Sequence, residues 1–135
     1  MLPSVSRRFC RRIAVLGTLA SLAACTTAPA GSAVPAYVIF FTPFSASLEK
    51  PALEVISDAA RAASGAPGRT VTVIGYADRA GSPEANVTLS RLRAQVVADG
   101  LAAKGVARSR LITVARGSVG NEPGLESRRV AIELN

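Results

Sequence analysis

The sequence predicts an α+β fold, a two-layer β-α-β-α-β-β sandwich with the helices packed on one face of a mixed sheet. Three observations carry that prediction. Four short runs, at 37–41, 71–74, 111–115 and 129–134, are largely apolar and rich in β-branched or aromatic residues. Two longer segments between them, 48–63 and about 84–104, place apolar residues at helical spacing. About 110 residues follow a basic and then apolar leader, enough for one domain with its own core.

The leader comes first in the chain. Arg7, Arg8, Arg11 and Arg12 precede an uncharged, mostly apolar run of 12 residues, 13–24. That run is short of the roughly 20 residues that a membrane-spanning helix needs, so residues 1–24 are read as a signal peptide. It ends Leu22-Ala23-Ala24-Cys25, which resembles the lipobox of bacterial lipoproteins. The resemblance implies a lipid on the Cys25 thiol and cleavage that makes Cys25 the new N-terminus. The ordinary alternative is a signal peptide cut after a small-x-small site. Of the two cysteines, Cys10 leaves with the leader, so the mature chain holds no disulfide and one thiol that lipidation would explain. Ser6-Arg7-Arg8-Phe9 is near a twin-Arg signal, but its spacing to Phe9 is off, which favours ordinary export. Thr26 in place of Asp after the Cys points, by analogy with enteric bacteria, to the outer membrane. Residues 25–36 then form the lipidated Cys and a linker rich in Thr, Ala, Pro, Gly and Ser, and 37–135 the domain.

Within the domain, the first strand ends at Thr42-Pro43. The first helix has Leu53, Ile56 and Ala60 as its expected core stripe, tolerates Pro51 in its first turn, and stops at Ser64-Gly65-Ala66-Pro67-Gly68. Val71-Thr72-Val73-Ile74 is the second strand. The second helix has Leu89, Leu92 and Val96 as its expected core stripe and Gly105 as its C-terminal stop. The last strand alternates Val130, Ile132 and Leu134 inward. No internal repeat appears.

The net charge of +7 overstates how basic the domain is. Four of the 16 Lys and Arg lie in the leader, leaving 12 against nine acids. These are scattered, and four of the five aromatics after the leader fall within 37–44, so the interleaved basic-aromatic surface of a nucleic-acid binder is missing. With no His, a Ser-His or Cys-His catalytic arrangement cannot be built, and one lipidated Cys leaves no transition-metal site. Ser47-Leu48-Glu49-Lys50 matches Ser-x-x-Lys, but the companion motifs and the chain length of penicillin-recognising enzymes are absent. The chain is read as a non-enzyme without cofactor or metal.

The densest signal lies at 75–94, where strand, turn and helix follow one another. The apolar strand runs into a Gly-rich turn, Gly75-Tyr76-Ala77-Asp78 with Gly81 beyond it, and Asn86, Leu89, Ser90, Arg93 and Ala94 lie on the helix that follows. At about 100° per residue, Asn86, Ser90 and Arg93 fall within about 60° on one stripe. One acid and one guanidinium facing a shared crevice suit a ligand that carries both an ammonium and a carboxylate. This joint pattern resembles the core motif of the OmpA-like peptidoglycan-binding domain, found in OmpA C-terminal domains, peptidoglycan-associated lipoproteins and flagellar stator proteins. Gly100-Leu101, Gly105-Val106, Arg110-Leu111-Ile112 and Arg128-Arg129-Val130 extend the likeness, which spans roughly 37–134.

The resemblance implies a site of Asp78, Asn86, Leu89, Arg93 and Arg128 for the zwitterionic end of diaminopimelate in the stem peptide. Asp78 would accept from the ammonium and Arg93 would fork the carboxylate. Each residue also has an ordinary reading. Asp78 can be a turn residue; Arg93 a surface residue or an ion-pair partner of Asp78; Asn86 a plain opener of the helix; Leu89 core. As turn and rim residues, Asp78 and Arg93 are expected to be dispensable for folding. Three departures from the family pattern stand out: Ser127 where Asn or Asp is usual, Ser45 where Asp is frequent, and a short segment 117–126 in which a family helix is expected to be missing. The function implied is an outer-membrane lipoprotein, its domain facing the periplasm, that binds peptidoglycan and tethers membrane to wall. The alternative is an interaction module for an envelope protein partner, served by the aromatic edge at 37–44.

Overall fold

The computed structural model describes residues 37–119 and 124–135. The leader, Cys25 and the linker lie outside the described residues, as do 120–123 within the short segment before the last strand. The elements are β1 (Tyr37–Phe40), α1 (Lys50–Gly65), β2 (Val71–Ala77), α2 (Pro83–Ala103), β3 (Leu111–Ser118) and β4 (Arg129–Leu134), in the order the sequence predicts. Of the short segment 117–126, the described part holds the end of β3 and a 3-10 turn at Leu125–Ser127.

The four strands form one mixed sheet in the order β1-β4-β2-β3. β4 runs antiparallel to both β1 and β2, whereas β2 and β3 are parallel. A parallel pair cannot close through a tight turn and needs a long crossover, which α2 provides. Ile39, Val71, Val73, Val130 and Ile132 face the helices and meet Ile56, Ala59 and Ala60 of α1 and Ala94, Val97 and Leu101 of α2. The C-terminus of α1 is closed from outside the helix. The Arg110 guanidinium donates to the carbonyls of Ala63, Ala66 and Arg69 at 2.7–3.0 Å, satisfying groups the helix leaves open.

Both helices sit rotated from their expected core stripes. On α1, Leu53 is 46% exposed and the buried face is Ala52, Ile56, Ala59, Ala60 and Ala63. On α2, Leu92 is 52% exposed, and the buried face is Asn86, Ser90, Arg93, Ala94, Val97, Ala98 and Leu101. The inward stripe of α2 is therefore the one that carries the polar motif. It can be buried because its polar atoms find internal partners, and because the sheet beneath offers room for a close approach. A Cβ on Gly75 would lie 2.0 Å from the Ser90 carbonyl oxygen, so helix and strand backbones touch there and only Gly fits. The Ser90 hydroxyl donates to Val87 O (2.8 Å) and accepts the amide of Gly117 on β3 (3.0 Å), locking the helix to a second strand.

The helix ends follow local chemistry. Ser82 caps α2, its hydroxyl accepting from the Ala85 amide at 3.1 Å, with Pro83 in the first turn and Glu84 beside the positive end of the dipole. Asn86 therefore does not open the helix but sits one turn inside it. At the other end Gly105 has φ +98°, and the amides of Gly105 and Val106 bond back to Ala102 and Leu101. This is the left-handed stop its sequence position predicts.

Candidate functional site

The site forms where β2 hands over to α2. The β2–β3 register slips between Gly75 and Ala77, a bulge-like irregularity that re-aims the chain just before Asp78. Asp78 itself is buried rather than exposed in a turn. Its Oδ1 accepts the Ala80 amide at 3.1 Å, and its Oδ2 accepts from Arg128 Nη1 at 3.4 Å. Two further bonds hold its backbone: Asn86 Nδ2 donates to the Ser118 hydroxyl (2.8 Å), which donates to Asp78 O (3.2 Å). Asn86 thus positions the acid through a relay that crosses from α2 to β3. Leu89 is only partly buried, and its side chain belongs to the flank of the buried stripe.

Arg93 departs most from expectation. It is 0% exposed, not on a rim. Its Nε donates to Ser45 O (2.8 Å), Nη1 to Tyr76 O (3.0 Å) and Nη2 to Thr42 O (3.0 Å), with the Phe41 ring centroid 5.2 Å from the guanidinium carbon. Three segments, the loop after β1, the end of β2 and α2, are joined by one side chain. Asp78 is not its ion-pair partner; the acid pairs with Arg128 instead. Burial lowers the pKa of Arg93 from its ordinary value, opposed by the negative Asp78 nearby and reinforced by the positive Arg128. An arginine remains charged under such a shift, so a buried cation sits behind the site.

The loop that Arg93 holds is itself unusual. In Thr42-Pro43-Phe44-Ser45 the Ser45 amide bonds to Thr42 O at 3.3 Å, and Phe44 has φ +57°. Pro followed by a positive-φ residue is the pattern of a type II turn, a place that favours Gly. Arg93 grips the carbonyls at both ends of this turn, so Phe44 is held there with its ring exposed. Ser45, where family members often carry Asp, contributes its carbonyl to Arg93 and its hydroxyl to the Ser47 amide.

Arg128, immediately before β4, completes the cluster. Its Nε reaches Phe41 O and its Nη1 reaches Asp78, both at 3.4 Å, the loose end of hydrogen-bond geometry. Side-chain exposures of 19% for Arg128 and 11% for Asp78 place the pair at a surface opening. Beside it runs a groove of about 240 Å³ lined by Phe40, Phe41, Thr42, Pro43, Glu49, Leu125 and Arg128. A larger concavity on the outer face of α1 is lined by that helix alone and lies apart from the charged cluster. Ser127, where the family pattern has an amide or acid, turns its hydroxyl to Val119 O at 3.0 Å. Its hydrogen bond is thus rerouted into the segment that leaves β3.

A two-layer domain with a charged turn at the β2–α2 junction, braced by a buried arginine, is the class that fold and site define. The sequence profile of the OmpA family matches residues 40–128, and the chain belongs to that family. It is similar to the peptidoglycan-binding protein ArfA of Mycobacterium tuberculosis and of Mycobacterium bovis, 37% identical over 111 residues and 77% of this chain. The chain spans about a third (34%) of the length of those relatives. Among solved structures it resembles the peptidoglycan-associated lipoprotein from Burkholderia pseudomallei (TM-score 0.69, 22% identity, 73% of this chain and 90% of that one). It also resembles the C-terminal domain of Helicobacter pylori MotB (TM-score 0.62, 24% identity, 71% of this chain and 81% of that one). At such identities these two likenesses speak for the fold alone.

Proposed function

We propose that this domain binds peptidoglycan non-covalently through the diaminopimelate of the stem peptide, and that a lipid on Cys25 tethers it to the outer membrane, facing the periplasm. The Asp78–Arg128 pair carries the proposal: an acid and a guanidinium sit side by side at an opening, loosely joined, each with hydrogen-bonding capacity to spare. Asp78 accepts the ligand's ammonium, and the positive cluster of Arg93 and Arg128 attracts its carboxylate. Asn86 holds the acid in place, and Leu89 packs beside the site. Each charge-assisted contact is worth roughly 1.5–3 kcal/mol. No bond is made or broken in the ligand. The name of the mycobacterial relatives supports the wall as the partner.

Retention on purified diaminopimelate-type sacculi tests the proposal. Asp78→Asn keeps the acceptor for the Ala80 amide while removing the charge. It should melt close to the parent and bind at least about tenfold more weakly, the loss of about 1.4 kcal/mol. Equal retention of the two proteins would overturn the wall site. A second reading, an interaction module for an envelope protein, draws on the apolar lip beside Arg128, where Phe40, Phe44 and Leu125 are all exposed. Retention that survives Asp78→Asn but falls on replacing Phe44 would favour that lip as the contact surface.

A further inference from the structure

We infer that the end of the domain opposite the charged opening is a contact surface for anionic phospholipid headgroups, so that the anchored domain stands with its wall site pointing away from the bilayer. The inference takes the lipid on Cys25 from the proposal above and adds which end of the domain meets the membrane. Topology supplies the two ends. β1, β2 and β3 run in one direction and β4 in the other. Asp78 follows β2 and Arg128 precedes β4, so both lie at one end. At the other end lie the start of β1, where the linker joins at Tyr37, and the loops from α1 to β2 and from α2 to β3. The seven residues of β2 set the two ends about 20 Å apart.

Those two loops, 66–70 and 104–110, hold Arg69, Lys104, Arg108 and Arg110 and no acid. Arg110 staples one loop to the other, donating to Arg69 O at 2.8 Å and to Ala66 O at 2.7 Å, so the cations sit on a fixed base. Among the described residues, the acids at this end are Asp99, taken up by Arg108 at 2.9 Å, and Glu133, beside Thr72 near the end of β4. Four cations thus face two acids. A cation after a helix ordinarily offsets the dipole, and Arg110 does so at α1. Arg69 and Lys104 have more to give. Both are exposed; Arg69 makes one loose side-chain bond, to Leu134 O at 3.3 Å, and the Lys104 ammonium makes none among the described residues. Ile112, exposed on the face of the sheet away from the helices, adds an apolar contact two residues past Arg110. A second copy docked on this end would set cations against cations. Anionic headgroups complement them, and a linker that spans at most about 40 Å keeps a bilayer within reach. Because the anchor confines the domain, a contact of few charges suffices.

The test reads which end of the anchored protein touches lipid. With Cys10 removed and Cys25 lipidated, Ser109→Cys supplies a single thiol at the basic end and Ser47→Cys a single thiol at the other; both serines are exposed. Each labelled protein is placed in vesicles carrying a headgroup quencher, made of phosphatidylcholine alone or mixed equally with phosphatidylglycerol. The probe at 109 should be quenched in the anionic vesicles and far less in the neutral ones, and the probe at 47 in neither. Arg69→Glu combined with Lys104→Glu should lower the ratio of docked to free domain by about tenfold or more. High salt should act in the same direction, while retention on sacculi stays as in the parent. If the double reversal lowers the melting temperature, Arg69→Gln with Lys104→Gln replaces it and should also weaken docking. Quenching at 109 that ignores lipid charge, survives both double variants or is matched at 47 overturns the inference and leaves wall binding intact. Variants that lose retention on sacculi with quenching unchanged would assign these cations to the wall and overturn it as well. A parent protein without lipid on Cys25 overturns the anchor and this inference with it, while retention on sacculi still decides the wall site.

Discussion

Arg93 shows how one residue can be found in a sequence and still be misread. Its place in the motif was legible, because it follows Ser90 by three residues on the same stripe as Asn86. Its burial was not, since a charged side chain is almost never fully buried unless it is paired. Here the partners are the carbonyls of Thr42, Ser45 and Tyr76, two of them some 50 positions away in the chain, and backbone atoms leave no mark on a sequence. Arg93→Ala should therefore not behave as a surface change. Three buried acceptors and a cavity would be left, a loss on the order of 3–5 kcal/mol. Urea unfolding measures it directly; a shift equivalent to under about 1 kcal/mol would show that water replaces the guanidinium without cost. Arg93→Lys should recover only part of the loss, because one ammonium cannot serve three carbonyls in a fork.

For the elements, strands and helices were legible and their faces were not. β2 and β3 run on past the apolar stretches that announce them, to Ala77 and Ser118, because the ladder continues through Gly75↔Ala115. Gly75 and Gly117 are poor strand formers, which hid those ends. The face of α2 was missed for a related reason. Hydropathy points Leu92 inward, whereas close backbone approach at Gly75 and the hydroxyl of Ser90 select the small, polar stripe. Gly75→Ala tests whether that approach governs the helix position. The added methyl would meet the Ser90 carbonyl, which is backbone and cannot rotate away, so α2 must lift from the sheet. A loss of about 1–3 kcal/mol or more is expected, as overpacking typically costs, with the Arg93 contact to Tyr76 disturbed as well. Hydrogen exchange should localise the weakening to α2 and β3. A variant as stable as the parent would mean that the helix slides with little resistance.

Across the whole molecule, the order of elements was readable but the sheet order was not. All four strands are apolar, and nothing in their composition says that β4 inserts between β1 and β2. That insertion matters, because it brings Arg128, just before β4, beside the end of β2 and Asp78, 50 residues earlier in sequence. The same view of the chain sets the prediction for anchoring. The linker from 26 to 36 spans at most about 40 Å when extended, so a lipid on Cys25 would keep the domain within a short reach of its membrane. Cys25→Ser removes the proposed acceptor for that lipid. The variant should accumulate as an uncleaved precursor, or as a soluble form if another peptidase cuts it, where the parent protein fractionates with membranes. Because Asp78 and Arg128 belong to the folded domain and not to the linker, the soluble form should still be retained on isolated sacculi. Anchor and grip would then separate in one experiment. Normal cleavage with full membrane retention of Cys25→Ser would remove the lipid from the account and leave the wall site to stand by itself.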